Sequence, residues 1–277
     1  MNNNSLITKQ ATQRLALAVE YDGSQFSGWQ IQKNARSVQH VVQQALSTVA
    51  NHEVVVSCAG RTDAGVHALS QIVHFDTSAQ RSLRSWVYGT NANLPKEVCI
   101  QWAHPVDAEF HARFSAQRRQ YRYVIFNRAV RPTFLANKVT WCYHDLDESL
   151  MAEAAHCLLG KHDFSSYRAI GCQAKSPIRT LHRLSVCRYD QFITLDLEAN
   201  GFLHHMVRNI AGVLMDIGAG KAPVSWAQEV LEHKNRTLGG VTAQPYGLYF
   251  VGVRYPDKYQ FPKLSLSTLG LPLVATL

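Results

Sequence analysis

From residue 54 to residue 75 the chain reads VVVSCAGRTDAGVHALSQIVHF, and no other stretch constrains the fold so tightly. Two apolar runs, residues 54–58 and 71–75, flank a loop of Gly60, Arg61, Thr62, Asp63, Ala64 and Gly65. Valine, isoleucine and phenylalanine fit a pleated, half-buried surface, and glycines allow turns that other residues resist. The expectation is two strands joined by a tight loop that carries a carboxylate and a guanidinium two positions apart. A rigid strand that displays a carboxylate on a loop is one way to present a reactive group, and a neighbouring arginine would keep it aimed. An Asp between glycines also makes an ordinary Asx-turn, so the loop alone does not assign chemistry.

The flanking sequence supplies a frame for it. Residues 15–21, LALAVEY, read as a buried strand that ends at the turn Asp22-Gly23-Ser24. Phe26, Gly28 and Trp29, set beside Gln30, Gln32 and Lys33, suit an RNA-stacking rim or a loop packed onto the sheet, and packing is the expectation for Trp29. Ser37 is placed to cap a helix, whose Val38, Val41, Val42, Ala45, Leu46 and Val49 recur with helical spacing. A short helix over 83–88 and a strand at 100–102 complete a β-α-β-β-α-β order, the ferredoxin-like pattern. Residues 102–109, around Pro105, read as a linker.

Positive charge is densest just beyond, at Arg113, Arg118, Arg119, Arg122, Arg128 and Arg131. Residues 120–126, QYRYVIF, alternate as a strand, with Tyr121, Tyr123 and Ile125 on one face and Arg122, Val124 and Phe126 on the other. Aromatics among arginines suit a surface that stacks a base and neutralises phosphates, although at least one of the tyrosines is expected in the core. A strand at 139–143, a helix capped by Asp147 and ended by Gly160, a loop over 163–175 and a hairpin about Asp190-Gln191 follow. In GFLHHMVRNIAGVLMDIG, residues 201–218, the apolar residues have helical spacing, and Arg208 within such a run needs an acidic partner or a phosphate. His204 and Arg208 would share one helix face. A helical His204-His205 pair points about 100° apart with no acidic neighbour in sequence, which argues against a metal. Ser225 starts another helix and residues 247–255 close the second half as a strand, so that β-α-β-β-α-β recurs with insertions.

Composition narrows the class. A chain of 277 residues makes one large domain or two ordinary ones, and 46% hydrophobic residues suffice for their cores. Lys plus Arg total 28 against 20 Asp plus Glu, a formal charge of +8 that favours a polyanion, nucleic acid first. The six cysteines, at 58, 99, 142, 157, 172 and 187, have no metal-type spacing and fit free thiols in a reducing cytosol. The opening MNNNSLITKQATQR lacks the apolar core of a signal peptide, and no run approaches the ~18 apolar residues of a membrane span. The expectation is a soluble, cytoplasmic protein with no membrane partner.

GRTDAGVHA resembles the catalytic-loop motif of the tRNA pseudouridine(38–40) synthases. YDGSQFSGWQ, HARFSAQRRQYRY, DFSSYRA, HHMVRNI and the G-L-Y at 247–249 are similar to further motifs of that family, in the family's order, over residues 14–257. The resemblance implies isomerisation of uridine to pseudouridine in the anticodon stem-loop of tRNA, at positions 38–40. The N1–C1′ bond breaks, the uracil turns, and C5 bonds to C1′. Nothing is added or lost, which suits a chain without a phosphate-binding G-x-x-x-x-G-K or a Rossmann fingerprint; no cofactor and no metal are expected. Two ferredoxin-like (RRM-like) halves of α+β class, 1–106 with the Asp loop and 107–277 with insertions, would hold antiparallel sheets around a central RNA-binding cleft. The resemblance makes Asp63 the catalytic carboxylate, Arg208 its partner and Tyr121 the active-site tyrosine that stacks on the flipped uracil. Leu248 would lie beside the target base, or be a core leucine. Arg61 is expected to grip a phosphate or fill the space of the extruded base, and His204 to contact substrate. The family acts as a homodimer on tRNA.

Three other classes compete, the weakest being a structural basic protein, which leaves the R-T-D loop and the buried Arg208 unexplained. A non-catalytic RNA-binding protein would leave Asp63 dispensable and would be expected to carry an RNP-type aromatic string, which is absent. A hydrolytic N-glycosidase would need a second acid–base group, for which Asp76 is the near carboxylate in sequence.

Overall fold

A computed structural model describes residues 12–262. The signal-peptide reading falls mostly on residues 1–11, and that segment and 263–277, the outer ends of the two expected halves, lie outside the described residues. The first strand, β1 (Gln13–Tyr21), is buried along most of its length. Ser37 caps α1 (Val38–Ala50) by accepting a hydrogen bond from the His40 amide, and the helix buries Val38, Val42, Ala45 and Leu46.

The expected strand over 54–58 is reduced to β2 (Ser57–Cys58). Its upstream amides are already engaged, Val54 N with Ser47 Oγ at 2.9 Å and Val56 N with Gln43 Oε1 at 3.1 Å. That backbone is tied to side chains of α1 rather than to a strand. The long β3 (His67–Thr77) follows, then α2 (Leu83–Asn93) and β4 (Val98–Val106). Pro105 therefore lies in a strand, not in a linker. It is tolerated because β4 is the sheet edge, where a missing N–H breaks no ladder. The crossing begins instead at Asp107, whose carboxylate accepts from the amides of Glu109 and Phe110.

In the second half come β5 (Arg118–Asn127), β6 (Thr140–Cys142), α3 (Glu148–Ala155), β7 (Gly160–Asp163), β8 (Ile178–Tyr189), β9 (Phe192–Ala199), α4 (Met206–Gly218), α5 (Trp226–His233) and β10 (Leu248–Arg254). Asp147 caps α3 and Asp190, at φ 52°, turns the β8–β9 hairpin, both as expected. The segment read as loop over 163–175 contains a 3-10 turn, Ser165–Tyr167.

The class is α+β with a largely antiparallel sheet. The strand order is β4-β1-β3-β10-β5-β9-β8-β7, with β2 on β3 and β6 on β5. β10 pairs with β3 in parallel, Tyr249 with His67 and Phe250 with Ala68. His67 stacks on Tyr249 with centroids 4.7 Å apart. Its Nδ1 lies 3.1 Å from both the Gly23 amide and Asp22 Oδ1, and its Nε2 lies 3.0 Å from the Tyr246 carbonyl. Among the described residues no helix is long and apolar enough to cross a membrane.

The alternation expected for β5 is observed, and it changes the meaning of its arginines. Tyr123 is fully buried under α4 among apolar neighbours. On the other face Arg122, 3% exposed, grips Asp196 with two bonds of 2.6 and 2.9 Å. Arg118 donates to Glu198 at 2.6 Å. The cross-strand pairs Arg122–Asp196 and Gln120–Glu198 put acids opposite the basic strand, so these arginines are held by protein carboxylates rather than free for phosphates.

Candidate active site

The loop bearing Asp63 is fastened at each of its residues from Ala59 to Asp63 except Arg61. Ala59 N donates to Ile72 O at 2.8 Å. The buried Gln71 side chain clamps Gly60, accepting from its amide and donating to its carbonyl. Thr62 Oγ1 shares a 2.8 Å hydrogen bond with Tyr21 OH, and Thr62 O accepts from Trp29 N at 3.0 Å. Beneath this bond lies Gly28, at φ +91°, where a Cβ would sit 2.7 Å from the Thr62 carbonyl. Trp29 is 1% exposed and packs in the core, as expected. Val66 N bonds back to Asp63 O at 3.2 Å and closes the turn.

The facing wall comes from the start of α4. His204 precedes the helix and His205 is its N-cap in the left-handed region, at φ 61°. The reading that placed His204 and Arg208 on one helix face is thus corrected, because the chain turns sharply at His205. Arg208 Nε donates to Ala243 O at 2.8 Å while Ala243 N donates to Arg208 O at 3.2 Å. This strap can lie against α4 because Gly212 has no Cβ, which would come 1.9 Å from Val241 O.

Three cationic or imidazole groups meet the Asp63 carboxylate. Arg208 Nη1 lies 3.5 Å from Oδ2, His205 Nε2 3.4 Å from Oδ2, and His204 Nε2 3.3 Å from Oδ1. Arg208 is 13% exposed and Asp63 26%, so the pair is screened but open to a ligand. Burial pulls the His205 imidazole below its ordinary value, and the charges of Arg208 and His204 act the same way against the pull of Asp63. The two histidine rings stand 4.0 Å apart.

The donor atoms of Asp63, His204 and His205 lie within 4.8 Å of one another. The separation argued for two helical histidines therefore does not hold, and folding supplies the acid that the sequence neighbourhood lacks. A cation there would nevertheless sit against the Arg208 guanidinium, which already balances the same carboxylate.

The other expected residues are placed as follows. Tyr121 is wedged between Phe202 and Phe250, edge to face at 5.0 and 4.9 Å, with its hydroxyl 3.8 Å from where a Gly60 Cβ would stand. Burial pushes its phenol well above the ordinary range, and the Asp63 charge adds to this. Leu248 is 5% exposed and belongs to the core that underlies α4. Arg61 is exposed on the loop. Asp76 is away from this group and pairs with Arg14 at 2.7 Å, so the acid–base partner required of a glycosidase is not supplied by it.

Sequence reasoning missed His205 and Gln71. A glutamine inside the apolar run LSQIVHF was the available signal for the clamp. DFSSYRA was recognised only by resemblance. Its Tyr167 is fully buried, donates to Ala227 O at 2.9 Å and accepts from Asn209 of α4 at 2.8 Å, so it seats the helix that carries Arg208.

A family model described as tRNA pseudouridine synthase matches residues 17–115 and 154–256. A tRNA pseudouridine synthase A of Nitrosococcus oceani is 58% identical over 252 residues, 91% of this chain and 97% of the relative. The protein of the same name from Pseudomonas aeruginosa is 55% identical over 263 residues, covering 94% and 92%. That from Alcanivorax borkumensis is 54% identical over 260 residues, covering 94% and 97%.

Proposed function

The chain belongs to the tRNA pseudouridine synthase family, and from that premise we propose that it isomerises uridine to pseudouridine in tRNA with Asp63 as the catalytic carboxylate. The observation that carries this reading is the convergence of Arg208, His204 and His205, remote in sequence, on the two Asp63 oxygens at 3.3–3.5 Å. The target uridines are those of the anticodon stem-loop at positions 38–40, reached by a homodimer in the cytoplasm, as the family resemblance implies.

Asp63 acts as a nucleophile on the sugar or base, or as a base on the ribose. By either route the N1–C1′ bond breaks, C5 bonds to C1′, the C5 proton leaves and N1 takes one up. Arg208 orients the carboxylate and balances its charge. Extruding the uridine costs about a few kcal/mol. Tyr121 stacks on the flipped uracil. With its phenol held neutral by burial, its help in removing the C5 proton depends on the base altering those surroundings. His204, half exposed at the mouth, contacts the substrate, Leu248 flanks the base from the core side, and Arg61 holds a phosphate or fills the vacated stack.

The strand orders β4-β1-β3-β2 and β10-β5-β9-β8 repeat one sequence of fourth, first, third and second strand. That repetition supports two ferredoxin-like (RRM-like) halves, 1–106 and 107–277, with the RNA-binding cleft at their seam.

The test is tritium release from tRNA transcripts carrying 5-³H-uridine, wild type beside Asp63→Asn. Release by wild type alone, with tRNA still bound by the variant, is expected. Binding without release by either protein would favour a non-catalytic RNA-binding protein. Equal release by both would remove Asp63 from the centre of the chemistry.

A further inference from the structure

Arg119 lies outside the group around Asp63, and its five N–H donors are all engaged. Nε and Nη2 donate to Ala59 O at 3.4 and 3.2 Å. The second Nη2 hydrogen goes to Arg113 O at 2.6 Å. Nη1 donates to Ala116 O at 3.3 Å and to Asn200 O at 3.0 Å. All four acceptors are main-chain carbonyls, and among the described residues no carboxylate pairs with this guanidinium.

Those carbonyls are significant for what they anchor. Ala59 opens the loop that carries Asp63. Asn200 opens the segment that leads through Phe202, His204 and His205 to Arg208. These two segments come from opposite halves, whose shared sheet is joined by only two residue pairs of β3 and β10. Arg119 itself is fixed in β5, paired with Ala199 on one side and Val253 on the other. Its side chain spans from the strand that neighbours Asn200 to the root of the Asp63 loop.

We propose that Arg119 is a positioning residue of this active site, a brace that fixes the Asp63 loop against the segment bearing His204 and Arg208. The inference rests on the reaction proposed above for its kinetic consequence, but not for its geometry. A planar fork with five fixed donors fits four carbonyls from three segments, whereas a lysine ammonium, with three donors at one point, does not. A basic residue in this arginine-rich stretch would otherwise be read as a phosphate ligand, and with every donor occupied Arg119 has none left to offer.

The experiment uses the full chain as wild type, Arg119→Ala and Arg119→Lys. Three quantities are measured: single-turnover tritium release from 5-³H-uridine tRNA, the Kd for tRNA across a salt series, and amide hydrogen exchange of residues 59–64 and 200–206. For Arg119→Ala the release rate is expected to fall by about 10–100-fold, the scale of a roughly 1 Å misplacement of reacting groups. Kd should stay within about threefold with the same salt slope, since no phosphate contact is lost. Exchange should quicken in both segments together. Arg119→Lys should lie between the two, and it carries the test if the alanine variant does not fold. An unchanged rate, a loss explained by weaker binding with a shallower salt slope, or faster exchange confined to β5 would overturn the proposal. If wild type binds tRNA and releases no tritium, the reaction reading fails, while the exchange of the two segments still decides for or against the brace.

Discussion

Arg208 reaches Asp63 with Nη1 at 3.5 Å from Oδ2, and it can do so because its Nε is anchored on the Ala243 carbonyl at 2.8 Å. One edge of the guanidinium is fixed to protein, and the other faces the carboxylate. Arg208→Lys keeps the charge and loses this two-sided hold. We expect kcat for tritium release to fall by about 10²-fold with KM for tRNA little changed, because orientation rather than binding is lost. A rise in KM at constant kcat would instead make Arg208 a substrate ligand.

Gly28 is the second lever on the same carboxylate. At φ +91°, with a Cβ placed 2.7 Å from Thr62 O, an alanine there strains its own backbone and pushes the residue next to Asp63. Gly28→Ala should cost about 1–3 kcal/mol in denaturant unfolding. It should also lower the release rate at least about tenfold through displacement of Asp63. Gly171→Ala, where a Cβ meets nothing within 4 Å, is the control and should leave both quantities unchanged.

Two arginines should separate stability from binding. Arg122→Met leaves Asp196 buried at 6% exposure without its partner, and breaking such a pair from one side costs about 3–5 kcal/mol. The salt dependence of tRNA binding should not change. Arg61→Ala should behave in the opposite way, with little loss of stability and a log–log salt slope shallower by about one. Filter binding across a salt series beside urea unfolding distinguishes them.

His74 makes a prediction about acid. It is 7% exposed, its Nδ1 accepts from Ala112 N at 3.1 Å, and the His111 ring lies 4.6 Å away. Burial first, then the charges of His111 and Arg14, pull it from 6.5 to about 4, against an opposing effect of Asp76. The folded value is below the unfolded one, so the unfolded chain takes up the proton first. Its stabilising contribution is complete above pH 6.5 and is lost as pH falls towards 4. The difference corresponds to at most about 3 kcal/mol. His74→Gln, which can still accept from Ala112, should flatten unfolding free energy against pH in that window; an unchanged slope would assign the acid sensitivity to other groups.

Much of this was legible in the chain itself. Hydrophobic period and capping placed α1 with its Ser37 cap, the alternation of β5, the hairpin at Asp190 and the largely buried α4, because these depend on contacts within a few residues or on which face is apolar. The string around Asp63 and the arginine in an otherwise apolar helix marked the two parts of the site. Tertiary structure decided the rest. Residues 54–56 look like a strand, yet α1 side chains take the amides of Val54 and Val56. Pro105 looks like a linker, yet an edge strand needs no donor there. Arg118 and Arg122 of β5 look like a phosphate surface, yet Glu198 and Asp196 of β9 hold them. The convergence of His205 on Asp63, and of the distant Ala59 and Asn200 carbonyls on Arg119, has no local signature. Sequence spacing encodes which residues share a face, but distances between segments remote in the chain are set only when the sheet closes at β3 and β10.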